Sequence, residues 1–149
     1  MSAYPNIIDS ADGMRDILAQ TRSIAVIGIK TEAQAGQAAY YVPRYLQAAG
    51  YELIPVPVYY PEATEILGRR VYRSLAEYPD TVDLVNVFRR PAGVPAHVAD
   101  ILAKKPRAVW LQLGIRNDEA ALQLAAAGIR VVQDRCIMVE HRELIAHGS

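Results

Sequence analysis

The sequence is poor in the residues that build disulfide frameworks, metal clusters and nucleic-acid interfaces. Its 149 residues contain one cysteine and three scattered histidines, which excludes an internal disulfide and offers no metal-ligand spacing. The 16 Lys and Arg residues are balanced by 16 Asp and Glu residues, so there is no net basic charge to attract a nucleic-acid backbone. No apolar run approaches the roughly 18 to 20 residues of a membrane span. Residues 1–10 lack the basic-then-apolar pattern of a signal peptide. We therefore expect a cytoplasmic monomer or small oligomer that binds neither membranes nor nucleic acid.

What the sequence does contain is a regular alternation of short apolar runs and helical segments. Strands are predicted at residues 23–29, 52–56, 83–88, 108–113 and 129–133. Helices are predicted from a cap at Asp9 or Ser10 to about 20, and over 39–50, 74–78, 94–104, 118–127 and 138–147. Pro43 is expected in the first turn of the second long helix. Residues 57–73 are expected to be irregular. The alternation predicts a single α/β domain over 1–149 with a Rossmann-like, doubly wound, parallel five-stranded sheet, helices on both faces and strand order 3-2-1-4-5.

Ligands of such sheets bind at the carboxyl ends of the strands, where the strand order reverses. After the first strand, Gly28 and Lys30 open a loop of about ten residues, long for a connection of this kind. Lys30 prevents a match to G-x-G-x-x-G, and the loop is not a Walker A sequence. The loop favours an anion site made of backbone N–H groups, a helix start and the Lys30 ammonium. The alternative, that Gly28 serves only close packing of strand and helix, stays open.

The other strand ends differ in what they offer a ligand. The second strand ends in residues 56–60 without the carboxylate that a nicotinamide cofactor usually needs there, and this apolar, aromatic edge suits an adenine. Arg89 and Arg90 follow the third strand, where they are a plausible clamp for a diphosphate or carboxylate. Ion pairs with Asp83 or Glu119 are the competing explanation. Residues 113–117 are mostly apolar and suit a thin, uncharged chain.

Candidates for catalysis are few, and we predict no catalytic or metal-ligating residue. Cys136 precedes a helix, where a thiol pKa can be lowered, but a lone cysteine is more often an inert buried side chain. His97 is expected to pair with Asp100 on the surface, and His141 to be solvated on a polar helix face. Trp110 is expected in the core.

Five segments follow one another along the chain: residues 24–28, 65–72, 87–91, 109–117 and 134–142. Together they resemble the family of small, single-domain CoA-binding proteins, which is similar to the CoA-binding domain of the succinyl-CoA ligase alpha subunit. The resemblance covers about residues 10–145 and implies a Rossmann-like fold that binds coenzyme A at the carboxyl edge. The resemblance also implies that the ligase's second domain, which carries its catalytic phosphohistidine, is absent, so His141 is not expected to have that role.

The resemblance also implies which residues contact coenzyme A. The diphosphate is expected near Gly28, Ile29, Lys30, Ala39 and Tyr40. The adenine is expected against Val56, Pro57 and Val58. The pantetheine arm is expected to pass Phe88, Arg89, Arg90, Leu113, Gly114 and Ile115. Relatives often have serine in place of Ala39 and Asn-Pro in place of residues 57–58.

Three functions follow from these observations. The first is non-catalytic binding of CoA or acyl-CoA, alone or for delivery to a protein partner. The second is a small oxidoreductase or acyl-transfer enzyme that uses Cys136 or Arg89. The third is a ligand-free Rossmann scaffold that acts through protein contacts.

Overall fold

The structure is a computed structural model that describes residues 4–146. The strands are β1 (Ser23–Ile27), β2 (Glu52–Val56), β3 (Glu65–Ile66), β4 (Arg69–Arg70), β5 (Leu84–Val87), β6 (Ala108–Leu111) and β7 (Arg130–Val132). All but β3 and β4 form one parallel sheet of five strands. The predicted α/β architecture is therefore confirmed.

Helices cover both faces of this sheet. They are α1 (Ala11–Gln20), α2 (Ala38–Ala48), α3 (Pro95–Lys104), α4 (Asp118–Ala126) and α5 (Ile137–His141). Buried side chains of α1, α2 and α5 pack on one face, and those of α3 and α4 pack on the other. Among residues 4–146, no helix is long and apolar enough to cross a bilayer. After α5 the chain continues in a π-helical segment, Arg142–Ala146, and the predicted end at 147 lies outside the described residues.

The predicted strand order was wrong. Along the sheet the strands lie in the order β2-β1-β5-β6-β7, so the third sheet strand of the chain pairs with β1 and not with the outer side of β2. Pro55 explains why, because it has no N–H for a further strand and belongs on an edge. The Pro55 carbonyl accepts instead from the Tyr72 N–H at 2.9 Å. The order now reverses between β1 and β5, which moves the expected binding crevice to that pair of strand ends.

Helix α2 contains its proline deeper than we predicted. Pro43 is the sixth residue of α2, beyond the first turn, and therefore removes the N–H that the Ala39 carbonyl would accept. The Lys30 N–H takes that place, at 3.1 Å from the Ala39 oxygen. A backbone bond from the preceding loop thus compensates for the proline and joins that loop to the helix.

Residues 57–73 are less irregular than predicted. Strands β3 and β4 form an antiparallel hairpin in which Glu65 pairs with Arg70. Its two turn residues, Leu67 and Gly68, have φ of 56° and 72°. Two successive positive φ values are typical of a type I′ hairpin turn, for which a glycine in second place is a recognisable signal.

Candidate functional site

The loops after β1 and β5 make the closest backbone approach at the carboxyl edge. Gly28 has φ +86°, and its N–H donates to the Val56 carbonyl at 2.9 Å. A Cβ on Gly28 would lie 2.2 Å from the Phe88 carbonyl oxygen, far inside contact distance. Only glycine fits here, and the contact that requires it is with the loop after β5 and not, as the packing alternative expected, with a helix.

The start of α2 and the loop before it supply backbone donors at this crevice. The Lys30 N–H is used internally, whereas the Ile29 N–H has no hydrogen-bond partner within residues 4–146. Gln37 caps α2 without a side-chain bond, which leaves the N–H groups of Ala38 and Ala39 at the positive end of the helix. The Lys30 ammonium reaches the Gln37 side-chain oxygen, which places its charge beside this helix start.

Three cations, Lys30, Arg89 and Arg90, lie close enough to the exposed hydroxyl of Tyr59 for their charges to act on it. We call these three residues the cationic cluster. The Arg89 Nη1 lies 3.4 Å from the Tyr59 oxygen, and its guanidinium carbon lies 5.8 Å from the ring centre. The hydrogen bond and the charge of Arg89 lower the pKa of Tyr59, and the charges of Arg90 and Lys30 lower it further. Within the described part of the chain, none of these cations has an ion-pair partner. The cluster therefore presents uncompensated positive charge at the crevice.

The competing explanation of Arg89 and Arg90 is wrong, because neither pairs with Asp83 or Glu119. Asp83 lies before β5, at the opposite edge of the sheet, where its Oδ2 accepts from the Arg22 N–H at 2.9 Å.

Beneath the cluster, two buried polar atoms lack partners. They are the Arg89 Nε and the His97 Nε2. Burial lowers the pKa of His97, and the nearby Arg89 charge lowers it further. The predicted surface pair with Asp100 is wrong, since the Asp100 Oδ2 accepts from the Leu75 N–H at 2.9 Å. The helix that carries His97 packs that side chain toward the crevice arginine.

The edge after β2 is an apolar ledge. Val56 and Pro57 are buried, while Val58 is 37% exposed. The guanidinium of Arg73 fixes the turn that follows by donating to the carbonyls of Tyr59, Tyr60 and Ala63 at 3.1, 2.7 and 3.0 Å. The ledge therefore has a rigid support next to the cationic cluster.

The edge after β6 carries the remaining predicted residues. Leu113 is 66% exposed and Ile115 is partly buried. Gly114 has φ +84°, and its N–H donates to the Asp134 Oδ1 at 2.6 Å. All the predicted contact residues thus follow the ends of β1, β2, β5 and β6 or begin α2, and Ala39 and Tyr40 are buried there.

A buried polar pair at this edge was missed by sequence reasoning. Asn86 in β5 and Gln112 just after β6 are 0% and 4% exposed. The Asn86 Nδ2 donates to the Trp110 carbonyl at 3.1 Å and lies 3.4 Å from the Gln112 Oε1. A polar residue inside each apolar run, in the segments 84–87 and 108–113, was the available signal.

Side chains considered for catalysis are placed as follows. Cys136 is a half-buried free thiol at the N-cap of α5. His141 is not solvated as predicted: it is 7% exposed, and its Nδ1 lies 2.9 Å from the Tyr45 hydroxyl. Trp110 is fully buried, as predicted, and its Nε1 donates to the Arg135 carbonyl at 2.9 Å.

Comparisons with known proteins show the family of the chain. Residues 22–142 match the family described as "CoA binding domain". An uncharacterized Bacillus subtilis protein, YneT, is 35% identical over 128 residues, which are 86% of this chain and 91% of that protein. A Thermus thermophilus structure is 40% identical with a TM-score of 0.83 and covers 92% of this chain and 100% of its own. A hypothetical protein from Pyrococcus horikoshii is 30% identical with a TM-score of 0.83, over 97% and 98% of the two chains. This chain belongs to the CoA-binding domain family.

Proposed function

We propose that this protein binds coenzyme A or an acyl-CoA, without catalysis, across the carboxyl edge of the sheet. The diphosphate lies at the start of α2, near Gly28, Ile29, Lys30, Ala39 and Tyr40. The adenine lies on the ledge of Val56, Pro57 and Val58. The pantetheine arm passes Phe88, Arg89 and Arg90 toward Leu113, Gly114 and Ile115.

The observation that carries this proposal is the uncompensated charge of the cationic cluster. Lys30, Arg89 and Arg90 act together on Tyr59 and have no described carboxylate as an ion-pair partner. Cations left unpaired beside a helix start are suited to phosphate oxygens, which accept charge-assisted hydrogen bonds. Coenzyme A combines such phosphates with a flat base and an uncharged arm, in the order that the ledge, the cluster and the apolar edge after β6 provide.

A thermal-shift series tests the ligand class. At about 100 times its dissociation constant a ligand adds roughly 2.7 kcal/mol of stability, which raises the Tm of a domain this size by roughly 5–10 °C. We expect that rise with CoA, a smaller one with dephospho-CoA and almost none with NAD. Equal protection by NAD and CoA would favour the oxidoreductase, and no protection by any of the three would favour the scaffold.

Single substitutions test the site. Lys30→Ala removes one cation of the cluster and is expected to weaken CoA binding about tenfold, the value of a charge-assisted hydrogen bond. Arg107→Ala is the matched control, because Arg107 is an exposed, unpaired cation at the opposite edge of the sheet. Cys136→Ala should leave affinity unchanged. A large loss from the cysteine change alone would reopen the enzyme hypothesis.

A further inference from the structure

The side-chain amide of Gln112 has a defined orientation. Its Oε1 accepts from two donors, the Asn86 Nδ2 at 3.4 Å and the Ile137 N–H at 3.3 Å. A rotation of the amide by 180° would turn its own donor group toward these two donors and lose both bonds. The network therefore points the Nε2 group of Gln112 away from Asn86 and from the start of α5.

That Nε2 group is left without a partner but is not sealed from solvent. Although Gln112 is only 4% exposed, its Nε2 donates no hydrogen bond within residues 4–146, and this nitrogen keeps some contact with solvent. The backbone N–H of Gln112 donates to the Val87 carbonyl at 3.2 Å, and this bond holds Gln112 at the carboxyl edge between the ends of β5 and β6. The unpartnered donor therefore belongs to a residue that is held at the carboxyl edge of the sheet.

Gln133 shows what a glutamine in a similar place does when its role is structural. It follows β7 as Gln112 follows β6, and it is 9% exposed. Its Oε1 accepts from the Asn117 N–H at 2.8 Å, and its Nε2 donates to the Asp118 Oδ1 at 3.1 Å. Both ends of this amide are used within the chain, whereas Gln112 uses only its oxygen.

Asn86 acts as the positioning residue for Gln112. Asn86 is fully buried in the sheet, and its Oδ1 has no hydrogen-bond partner there. An apolar side chain at this position would not carry the energetic cost of that buried, unpaired oxygen. The Asn86 amide nitrogen supplies one of the two bonds that orient Gln112. A costly polar group in the core that orients a second buried polar group at the carboxyl edge is typical of a functional site.

We propose that the Gln112 Nε2 donates a hydrogen bond to a carbonyl oxygen on the uncharged arm of the bound ligand, an amide of pantetheine or the thioester of an acyl-CoA. This inference rests on the proposed function and names the residue that recognises the arm. A neutral amide donor suits a neutral carbonyl acceptor, whereas the charged phosphates would be bound by the cationic cluster.

Calorimetric titration with three ligands tests it: CoA, acetyl-CoA and 3′-phosphoadenosine 5′-diphosphate, which has the diphosphate but no arm. Gln112→Glu keeps an oxygen for Asn86 and Ile137 and removes the donor. The ratio of acetyl-CoA affinity to nucleotide affinity is expected to fall roughly three- to tenfold, as for one lost neutral hydrogen bond. If only the acetyl-CoA ratio falls, the bond is to the thioester. If the ratio of CoA affinity to nucleotide affinity falls as well, it is to a pantetheine amide.

The control is Gln133→Met, which should lower stability and leave both ratios unchanged. In wild-type protein, the side-chain NH₂ signals of Gln112 in ¹H–¹⁵N spectra should move with CoA or acetyl-CoA and not with the nucleotide. This measurement holds even if the variant does not fold. Wild-type protein that binds all three ligands with unchanged ratios in Gln112→Glu, or with unmoved signals, would overturn the inference. Failure of wild-type protein to bind any of them would overturn the proposed function as well.

Discussion

Replacing Gly28 by alanine measures how tightly the loops after β1 and β5 are packed. The new Cβ would lie 2.2 Å from the Phe88 carbonyl oxygen, so that carbonyl must retreat by most of an ångström. Overpacking of this kind costs about 1–3 kcal/mol. The residue must also keep φ +86°, which costs a further 1–2 kcal/mol or so for a side chain with a Cβ. The free energy of unfolding should therefore fall by about 2–5 kcal/mol, or roughly 5–15 °C in Tm.

Gly128→Ala separates the two contributions. Gly128 has φ +88°, almost the value of Gly28, but a Cβ added to it would have no atom within 4 Å. Urea unfolding of this variant should show only the conformational part, about 1–2 kcal/mol. The difference between the variants is the cost of the contact with Phe88. We also expect the CoA-dependent rise in Tm to vanish in Gly28→Ala and to persist in Gly128→Ala. Equal losses of stability, with CoA protection retained in both, would refute the reasoning.

Two further predictions concern stability. Burial lowers the pKa of both His97 and His141 in the folded protein. As the pH falls, these histidines are therefore protonated in the unfolded chain at a higher pH than in the folded protein. The free energy of unfolding should consequently fall as the pH drops below about 6.5. Urea unfolding at several pH values checks this; His97→Gln and His141→Gln should each flatten the pH dependence, and an unchanged slope in both would contradict it. Asn117→Ala removes the cap bond to the Ala120 N–H and the bond to the Pro91 carbonyl, each 3.0 Å, and should cost about 1–2 kcal/mol in the same assay. A loss within the roughly 0.5 kcal/mol of an ordinary surface change would show that neither bond stabilises the fold.

The sequence was sufficient to predict the parallel sheet because the sheet strands are short apolar runs, and helices separate β1 from β2, β5 from β6 and β6 from β7. It did not reveal the strand order, although Pro55 carried the signal: a proline without a donor marks β2 as an edge strand. The place of β5 beside β1 then follows. Local secondary-structure propensity cannot predict the strand order, because the order depends on which strands lie side by side in the sheet.

Some features of the candidate site could likewise be predicted from the sequence, and others could not. The positions of Gly28 and Arg89 at strand ends follow from the alternation alone, since parallel strands share a carboxyl edge. The burial of His97 and His141 does not, because it depends on packing between helices and loops that are distant in the sequence. The partnership of Asn86 with Gln112 likewise appears only when β5 and β6 lie side by side.

The proline in α2 has a consequence for ligand binding. Because Pro43 has no donor, the Ala39 carbonyl is held by the Lys30 amide, and the loop after β1 is tied to the start of α2 before any ligand arrives. Because this backbone is already ordered, the binding of an anion at the loop after β1 and the start of α2 would cost little backbone conformational entropy. A residue that ordinarily disrupts helices thus helps to keep the candidate site in one shape.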